Sequence, residues 1–154
     1  MQILVAIDSS GASDEIVDAV GRAAWPDKAE FLLLTVVKPT ADWENSQCYF
    51  HSCELILKQR TETLKKMLPE HKVLCEAMYG DPKKLIVETA SLFKSALIII
   101  GSHGDTGVGR ASIGSVAAAV VETAPCNVEV VKVYKAKGAV QAAPQGKSKR
   151  HVPA

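Results

Sequence analysis

Apolar and polar residues follow one another along the chain in blocks that predict alternating strands and helices. Gln2 to Ile7 is an apolar run of strand length, and a second such run covers Phe31 to Val37. Between them, apolar residues recur at helical spacing from an expected N-cap at Ser13 to a stop at Pro26. This order of strand, helix and strand predicts a right-handed parallel crossover.

The same alternation continues to about residue 134. Pro39 to Phe50 is polar and irregular and is predicted to be a loop. The elements predicted after it are helices over about Ser52 to Leu68, Asp81-Pro82 to Lys94 and Ser112 to Thr123, and strands over Val73 to Met78, Leu97 to Ile100 and Val128 to Tyr134. Because Leu97 to Ile100 is the most apolar strand, we expect it to be central. The sequence therefore predicts a doubly wound α/β fold, a five-stranded parallel sheet sandwiched by helices (Rossmann-like).

Composition agrees with this fold class and divides the chain in two. The 154 residues suffice for one domain of ordinary size, and only 5% of them are aromatic, so the core must be built from aliphatic side chains. We expect the domain to cover residues 1–134. Residues 135–154 are rich in Lys, Ala, Gln, Gly and Pro without periodicity, and they predict a flexible basic tail.

Charge and hydropathy restrict the partners. Five basic and no acidic residues lie from Lys135 onward, so 13 basic and 17 acidic residues leave residues 1–134 with a net charge of −4. An acidic domain is a poor electrostatic partner for nucleic acid. The chain has no apolar stretch of about 18 residues, and its start, from Met1 to Asp8, lacks the basic segment and the cleavage site that mark a secretory leader. We therefore expect neither a membrane role nor export. The sequence predicts a cytoplasmic protein.

The cysteines and histidines do not predict a metal site. Cys48, Cys53 and Cys75 lie near His51 and His71 in the sequence, but their spacings match no zinc-binding pattern. We expect reduced, half-buried thiols and surface histidines.

Two loops after predicted strands carry groups suited to ligand binding. In open parallel sheets, ligands bind outside the carboxyl ends of the strands. Asp8 follows the first strand, and five glycines fall in the fourteen positions from Gly101 to Gly114, after the fourth strand. Glycines let backbone N–H groups approach an anion, and the helix that follows adds aligned donors near Ser115. Arg110 and His103 could add charge or donors. The loop is therefore predicted to bind phosphate, although its glycines could also merely form turns.

The common phosphate-binding motifs do not fit. The one Gly-Lys-Ser, at Gly146, lies in the tail and has Gln141 where a Walker A loop needs its first glycine. The dinucleotide fingerprint fails because Gly107 and Gly109 are followed by Ser112.

The spacing that does fit is Gly101-x2-Gly104, nine residues, then Gly114-Ser115. It resembles the signature of the ATP-binding branch of the universal stress protein family. Further segments resemble this family in the same order: Ile3-Leu4-Val5-Ala6-Ile7-Asp8, Leu34-Thr35-Val36-Val37, Gly80-Asp81-Pro82, Leu97 to Gly104, and Ala124-Pro125-Cys126-Asn127-Val128-Glu129-Val130-Val131. The resemblance covers residues 1 to about 134. Ala96 and Ala117 depart from it, since many relatives have an acidic residue and a hydroxyl residue there.

The resemblance implies a site for ATP, or another adenine nucleotide, with Mg²⁺. Asp8 would reach the ribose or the metal–phosphate region, which makes it a possible Mg²⁺ contact. The remaining residues implied are Ala6 and Ile7 beside the base, Val36 at adenine through its main chain, Ile100, Gly101, His103 and Gly104 along the ribose and phosphates, Gly114 and Ser115 around the phosphates, Val116 through its N–H, and Arg110. No catalytic residue is assigned.

Three functions are compatible with such a site. The first is a regulatory or signalling module of the stress response, acting on a downstream protein partner that the sequence does not identify. The second is an enzyme that hydrolyses ATP slowly, and the third is a scaffold whose nucleotide site is vestigial. The fifth strand, Val128 to Tyr134, is expected at a sheet edge. In the resembled family this strand commonly pairs across a two-fold axis, which implies a homodimer.

Overall fold

A computed structural model describes residues 1–104 and 112–133 of the chain. Strands and helices alternate in it without exception. In chain order they are β1 (Gln2–Ala6), α1 (Ala12–Arg22), β2 (Glu30–Val37), α2 (Trp43–Met67), β3 (Lys72–Tyr79), α3 (Pro82–Leu92), β4 (Leu97–Gly101), α4 (Ser115–Thr123) and β5 (Asn127–Val131). Arg110, Tyr134 and the tail predicted over 135–154 lie outside the described residues. None of the described helices is both long and apolar enough to cross a membrane.

The five strands form one sheet in the order β3-β2-β1-β4-β5, and all four pairings are parallel. The chain therefore winds outward from β1 to β3, returns to the other side of β1, and continues to β5. The predicted fold class is confirmed. β4 is an interior strand, but β1 occupies the centre of the sheet. The point where the winding direction reverses lies between the carboxyl ends of β1 and β4, where such sheets bind ligands.

Each face of the sheet buries a separate aliphatic core, because side chains alternate between the faces of a strand. Ile3 and Val5 of β1 point into a cluster with residues of α1 and α2, among them Val20 and Leu64. Leu4 and Ala6 point into the second cluster, which includes Ile86 and Ala90 of α3 and Ala117 and Val120 of α4. Two helices thus cover each face, as a doubly wound sheet requires.

The helix starts correct two sequence predictions. The N-cap of α1 is Gly11, not Ser13, because the Ser13 hydroxyl is engaged by Asp8. α2 begins at Trp43, so the loop predicted over Pro39 to Phe50 is wrong from residue 43 onward. Asp42 caps this helix by accepting a hydrogen bond from the Asn45 N–H. Phe50 stacks on Tyr79 of β3 with ring centroids 4.1 Å apart, a tertiary contact that a polar local pattern does not reveal.

The remaining boundaries differ by a few residues. Asp81 caps α3 as predicted, accepting a hydrogen bond from the Lys83 N–H, with Pro82 in the first turn. α4 begins at Ser115, three residues after the predicted start. β5 ends at Val131, within the range predicted from Val128 to Tyr134, and it lies at an edge of the sheet as expected.

Candidate functional site

A cavity of about 590 Å³ opens at the carboxyl ends of β1, β2 and β4. Its volume falls within the range of about 300–1,000 Å³ that is usual for small-molecule sites. Of the twelve predicted site residues, Arg110 is outside the described residues. The other eleven all line the cavity: Ala6, Ile7, Asp8, Val36, Ile100, Gly101, His103, Gly104, Gly114, Ser115 and Val116.

The cavity wall also contains residues that sequence reasoning did not select. Leu34 and Lys38 come from β2 and its end, Pro82 and Ile86 from α3, and Ser13 from α1. Leu34, Ile86 and Ala117 add apolar surface. The rule that ligands bind at the carboxyl ends of strands could have selected Lys38 and Pro82, since each follows a predicted strand closely.

Asp8 is held by a hydrogen-bond network at the start of the β1–α1 loop. Its Oδ1 accepts hydrogen bonds from the Ser10 N–H at 3.0 Å, the Ser10 hydroxyl at 2.6 Å and the Ser13 hydroxyl at 2.8 Å. The Asp8 N–H donates to the Ser13 oxygen at 3.0 Å. Oδ2 faces Gly104, where an added Cβ would lie 3.0 Å from it. One carboxylate oxygen therefore fixes the side chain, and the other is directed toward the glycine loop.

Arg60 of α2 contacts the same β1–α1 loop through its side chain. Its guanidinium donates to the carbonyl oxygens of Asp8 and Ser10 and to the Asp14 carboxylate. Arg60 is buried on the face of α2 that also buries Leu57 and Leu64. Arg60 is spaced three residues from Leu57 and four from Leu64, the helical spacing of one buried face. This pattern is visible in the sequence, but Arg60 was not among the predicted site residues.

Two glycines bring the loop backbone close to its surroundings. A Cβ on Gly114 would lie 3.1 Å from the Ser102 carbonyl oxygen, which accepts the Gly114 N–H at 2.7 Å. A Cβ on Gly104 would crowd the Asp8 carboxylate. Larger side chains would therefore press on backbone and carboxylate atoms at the cavity wall.

Ser102 joins three parts of this region. Its N–H donates to the Val131 carbonyl of β5, and its hydroxyl accepts from the Val133 N–H at 3.1 Å. The same hydroxyl lies 3.1 Å from His103 Nδ1. The Ser102 hydroxyl thus contacts both the Val133 N–H and Nδ1 of His103, so Nδ1 is the ring nitrogen that the protein engages. Nε2 is buried and has no hydrogen-bond partner among the described residues.

The first turn of α4 supplies further donors. Its N-cap, Gly114, has no side chain that could cap the helix, so in the described part of the chain no N-cap side chain engages the N–H groups of Ser115 and Val116. The positive end of the helix dipole points in the same direction. These N–H groups and the Ser115 hydroxyl are suited to an anion, and Nε2 of His103 is a buried polar atom that a ligand could satisfy. Within 1–104 and 112–133, no group of three or more His, Cys, Asp or Glu side chains is placed to hold a metal.

Comparison with known proteins places this geometry in a family. The family model described as the universal stress protein family matches residues 1–132. The chain belongs to the universal stress protein family. Its glycine spacing, parallel sheet and cavity at the β1–β4 reversal are thus features of a universal stress protein, and the family resemblance of the sequence is confirmed.

Curated relatives agree with this assignment. Universal stress protein MJ0531 of Methanocaldococcus jannaschii is 40% identical over 87 residues, which are 53% of this chain and 51% of that protein. The match thus spans about half the length of that relative. A universal stress protein of Thermus aquaticus, encoded in the QAH/OAS sulfhydrylase 3′ region, is 28% identical over 84% of this universal stress protein and 97% of the relative.

Solved structures show the same fold. The universal stress protein UspA from Lactobacillus plantarum is 27% identical with a TM-score of 0.70, covering 85% of this chain and 97% of that chain. A universal stress protein solved in complex with cAMP is 23% identical with a TM-score of 0.67, over 87% and 98% of the two chains. Another, from Arabidopsis thaliana, was solved with AMP bound and is 21% identical with a TM-score of 0.56, over 87% and 92%. At these last two identities the likeness extends to the fold alone.

Proposed function

We propose that this universal stress protein binds an adenine nucleotide, ATP with Mg²⁺, and acts as a regulatory module of the stress response. The observation that carries the proposal is the cavity, whose lining includes every described residue of the predicted site. The AMP and cAMP complexes of structural neighbours support the choice of an adenine nucleotide. Four free cysteines agree with a reducing compartment such as the cytoplasm.

The chemistry of the cavity fits the parts of a nucleotide. The apolar wall from Leu34, Val36, Ile86 and Ile100 suits a base. Backbone N–H groups at the start of α4 suit phosphate oxygens. A carboxylate oxygen such as Asp8 Oδ2 suits a ribose hydroxyl or Mg²⁺, which prefers oxygen ligands and keeps several waters.

The residues act by binding and orientation. Gly104 and Gly114 keep the wall open to the backbone donors, and His103 Nε2 is one further polar atom that is otherwise unpartnered in the described chain. Bound Mg²⁺ would neutralise phosphate charge. Asp8 Oδ1 and His103 Nδ1 are engaged by neighbouring groups, and binding of the ribose or Mg²⁺ by Asp8 Oδ2 and of a phosphate oxygen by His103 Nε2 would leave neither side chain to activate a water molecule. This engagement supports regulation rather than rapid hydrolysis.

The test is the nucleotide content of the purified protein. Chromatography of denatured protein is expected to show about one adenine nucleotide per chain, or calorimetry is expected to show saturable binding of added Mg-ATP. Gly114→Val should abolish both, because its side chain would press on the Ser102 carbonyl at the cavity wall. Gly11→Ala is the matched control, since a Cβ there meets nothing within 4 Å. Wild-type protein that neither carries nor binds adenine nucleotide at millimolar concentration would refute the proposal.

The second part of the proposal is a homodimer formed through β5. Ser102 donates to the Val131 carbonyl, so the peptide groups of Val131 and of the residue two before it point toward β4. The peptide groups of Val128 and Val130 then point to the free edge, where a second copy can pair with them. Such pairing would place two nucleotide sites in one particle, a suitable arrangement for a signalling module.

A further inference from the structure

Arg60 is a buried cation that makes two of its three hydrogen bonds to backbone carbonyl oxygens. The residue is 8% exposed. Its Nη1 and Nη2 each donate at 2.5 Å, to the carbonyl oxygens of Asp8 and Ser10, and Nε donates at 2.8 Å to Asp14 Oδ1. All three acceptors belong to the segment from the end of β1 to the first turn of α1. The guanidinium therefore holds this segment at three points.

Helix packing alone does not explain a guanidinium at this position. A buried charge costs free energy unless it is paired, and the one carboxylate partner, Asp14, has a side chain that is 70% exposed. Leu57 and Leu64 on the same face show that aliphatic side chains satisfy the core. What a guanidinium adds is a planar fork that fixes two carbonyl oxygens relative to each other, which neither a lysine nor an aliphatic side chain does.

The two carbonyl groups that Arg60 fixes belong to residues of the Asp8 network. Ser10 donates to Asp8 Oδ1 through both its N–H and its hydroxyl. A shift of the Ser10 backbone would therefore rotate the Asp8 carboxylate and move Oδ2 from its place beside Gly104. We propose that Arg60 is a positioning residue of the nucleotide site: it acts through the Asp8–Ser10 backbone to aim Asp8 Oδ2 into the cavity. This inference rests on the proposed nucleotide binding.

The test compares variants of Arg60 in two backgrounds. Arg60→Met keeps the length of the side chain and removes all donors, whereas Arg60→Lys keeps the charge without the fork. A hydrogen bond to a charged group contributes roughly 10- to 100-fold to an equilibrium constant, so we expect Arg60→Met, which leaves Asp8 Oδ2 misplaced, to weaken Mg-ATP binding by about 10- to 100-fold in calorimetry. Arg60→Lys should fall between Arg60→Met and wild type. Arg22→Met is the matched control, because Arg22 forms an exposed ion pair with Asp18 on α1 and touches neither loop nor cavity.

The second background is Asp8→Asn, which removes the carboxylate that Arg60 is inferred to aim. If Arg60 acts through Asp8, the same Arg60 substitutions should change affinity by less than about twofold in this background, because the two effects are not additive. Asp14→Asn should leave affinity near wild type in either background, since the two carbonyl contacts remain. Urea denaturation of each variant measures the structural effect separately.

The outcomes separate the inference from the proposed function. Wild type that binds no adenine nucleotide overturns both. Wild type that binds, with Arg60→Met and Arg60→Lys binding equally well, overturns the inference alone and leaves Arg60 a stabilising residue. A loss of affinity on Arg60 substitution that is as large in the Asp8→Asn background as in the wild-type background also overturns the inference. If Arg60→Met does not fold, Arg60→Lys in the two backgrounds decides the matter.

Discussion

Removing one hydroxyl group, in Ser13→Ala, tests how the candidate site is held together. The Ser13 side chain is buried at 1% exposure, donates to Asp8 Oδ1 at 2.8 Å and accepts the Asp8 N–H at 3.0 Å. Alanine keeps the shape of the side chain except for one oxygen. The substitution therefore removes two hydrogen bonds and leaves the part-buried Asp8 N–H without its acceptor.

The magnitude follows from these two bonds. A hydrogen bond to a charged group is worth about 1.5–3 kcal/mol, and an orphaned buried donor costs about 1–3 kcal/mol. Asp8 Oδ1 keeps two other donors from Ser10, which offset part of the loss. We expect the free energy of unfolding to fall by about 2–3 kcal/mol, with weaker nucleotide binding because the carboxylate is less constrained.

The assay is chemical denaturation at constant pH, followed by calorimetry with Mg-ATP. Ser91→Ala is the matched control: it removes an exposed helical hydroxyl that donates only to the Val87 carbonyl within α3. That control should lie within about 0.5 kcal/mol of wild type. A Ser13→Ala protein within the same margin would refute the reasoning that this hydroxyl stabilises the β1–α1 loop.

Three further predictions concern the rest of the molecule. Light scattering of the wild-type protein should give a molecular mass of about twice 16.5 kDa. Val130→Pro should give a monomer, because proline removes an N–H from the free edge of β5. A wild-type monomer would contradict the proposed dimer. The exposed Cys48 should react first with a thiol reagent at pH 8. Cys126 should react more slowly, because burial raises its pKa and so lowers its thiolate fraction. Equal reaction rates of Cys48 and Cys126 would contradict this prediction. Formation of ADP should stay well below about 1 s⁻¹, and chromatography showing faster turnover would identify an enzyme.

The sequence predicts the fold well because the aliphatic runs and their stops are local signals. Phe31 to Val37 and Leu97 to Ile100 are predominantly apolar runs of strand length, and Asp81-Pro82 marks a helix start through its own side chains. The glycine spacing from Gly101 to Ser115 likewise lies on one continuous segment. Features of this kind need no knowledge of distant contacts.

The errors arise from contacts that a helix or strand pattern does not show, one within the β1–α1 loop region and the others between distant segments. Ser13 is a residue type that commonly caps helices, but its hydroxyl instead donates a hydrogen bond to the Asp8 carboxylate. The segment from Trp43 to Phe50 becomes helical where its rings meet Tyr79 of β3. Arg60 is distant from Asp8 in sequence, and its hydrogen bonds to the β1–α1 loop become apparent only when α2 packs against α1 in the structure. Sequence reasoning is weakest where a polar group is satisfied by a remote backbone atom.

The central place of β1 in the sheet has a consequence for folding kinetics. Ala6 pairs with Ile100, so the two walls of the cavity come from segments separated by roughly ninety residues, whose closure is entropically costly and slow. Any partly folded state in which β4 has not joined β1 has no cavity. A ligand that contacts both walls therefore stabilises only the completed sheet. It should slow the detachment of β4 from β1 and increase the hydrogen-exchange protection of the backbone N–H groups along this pair of strands.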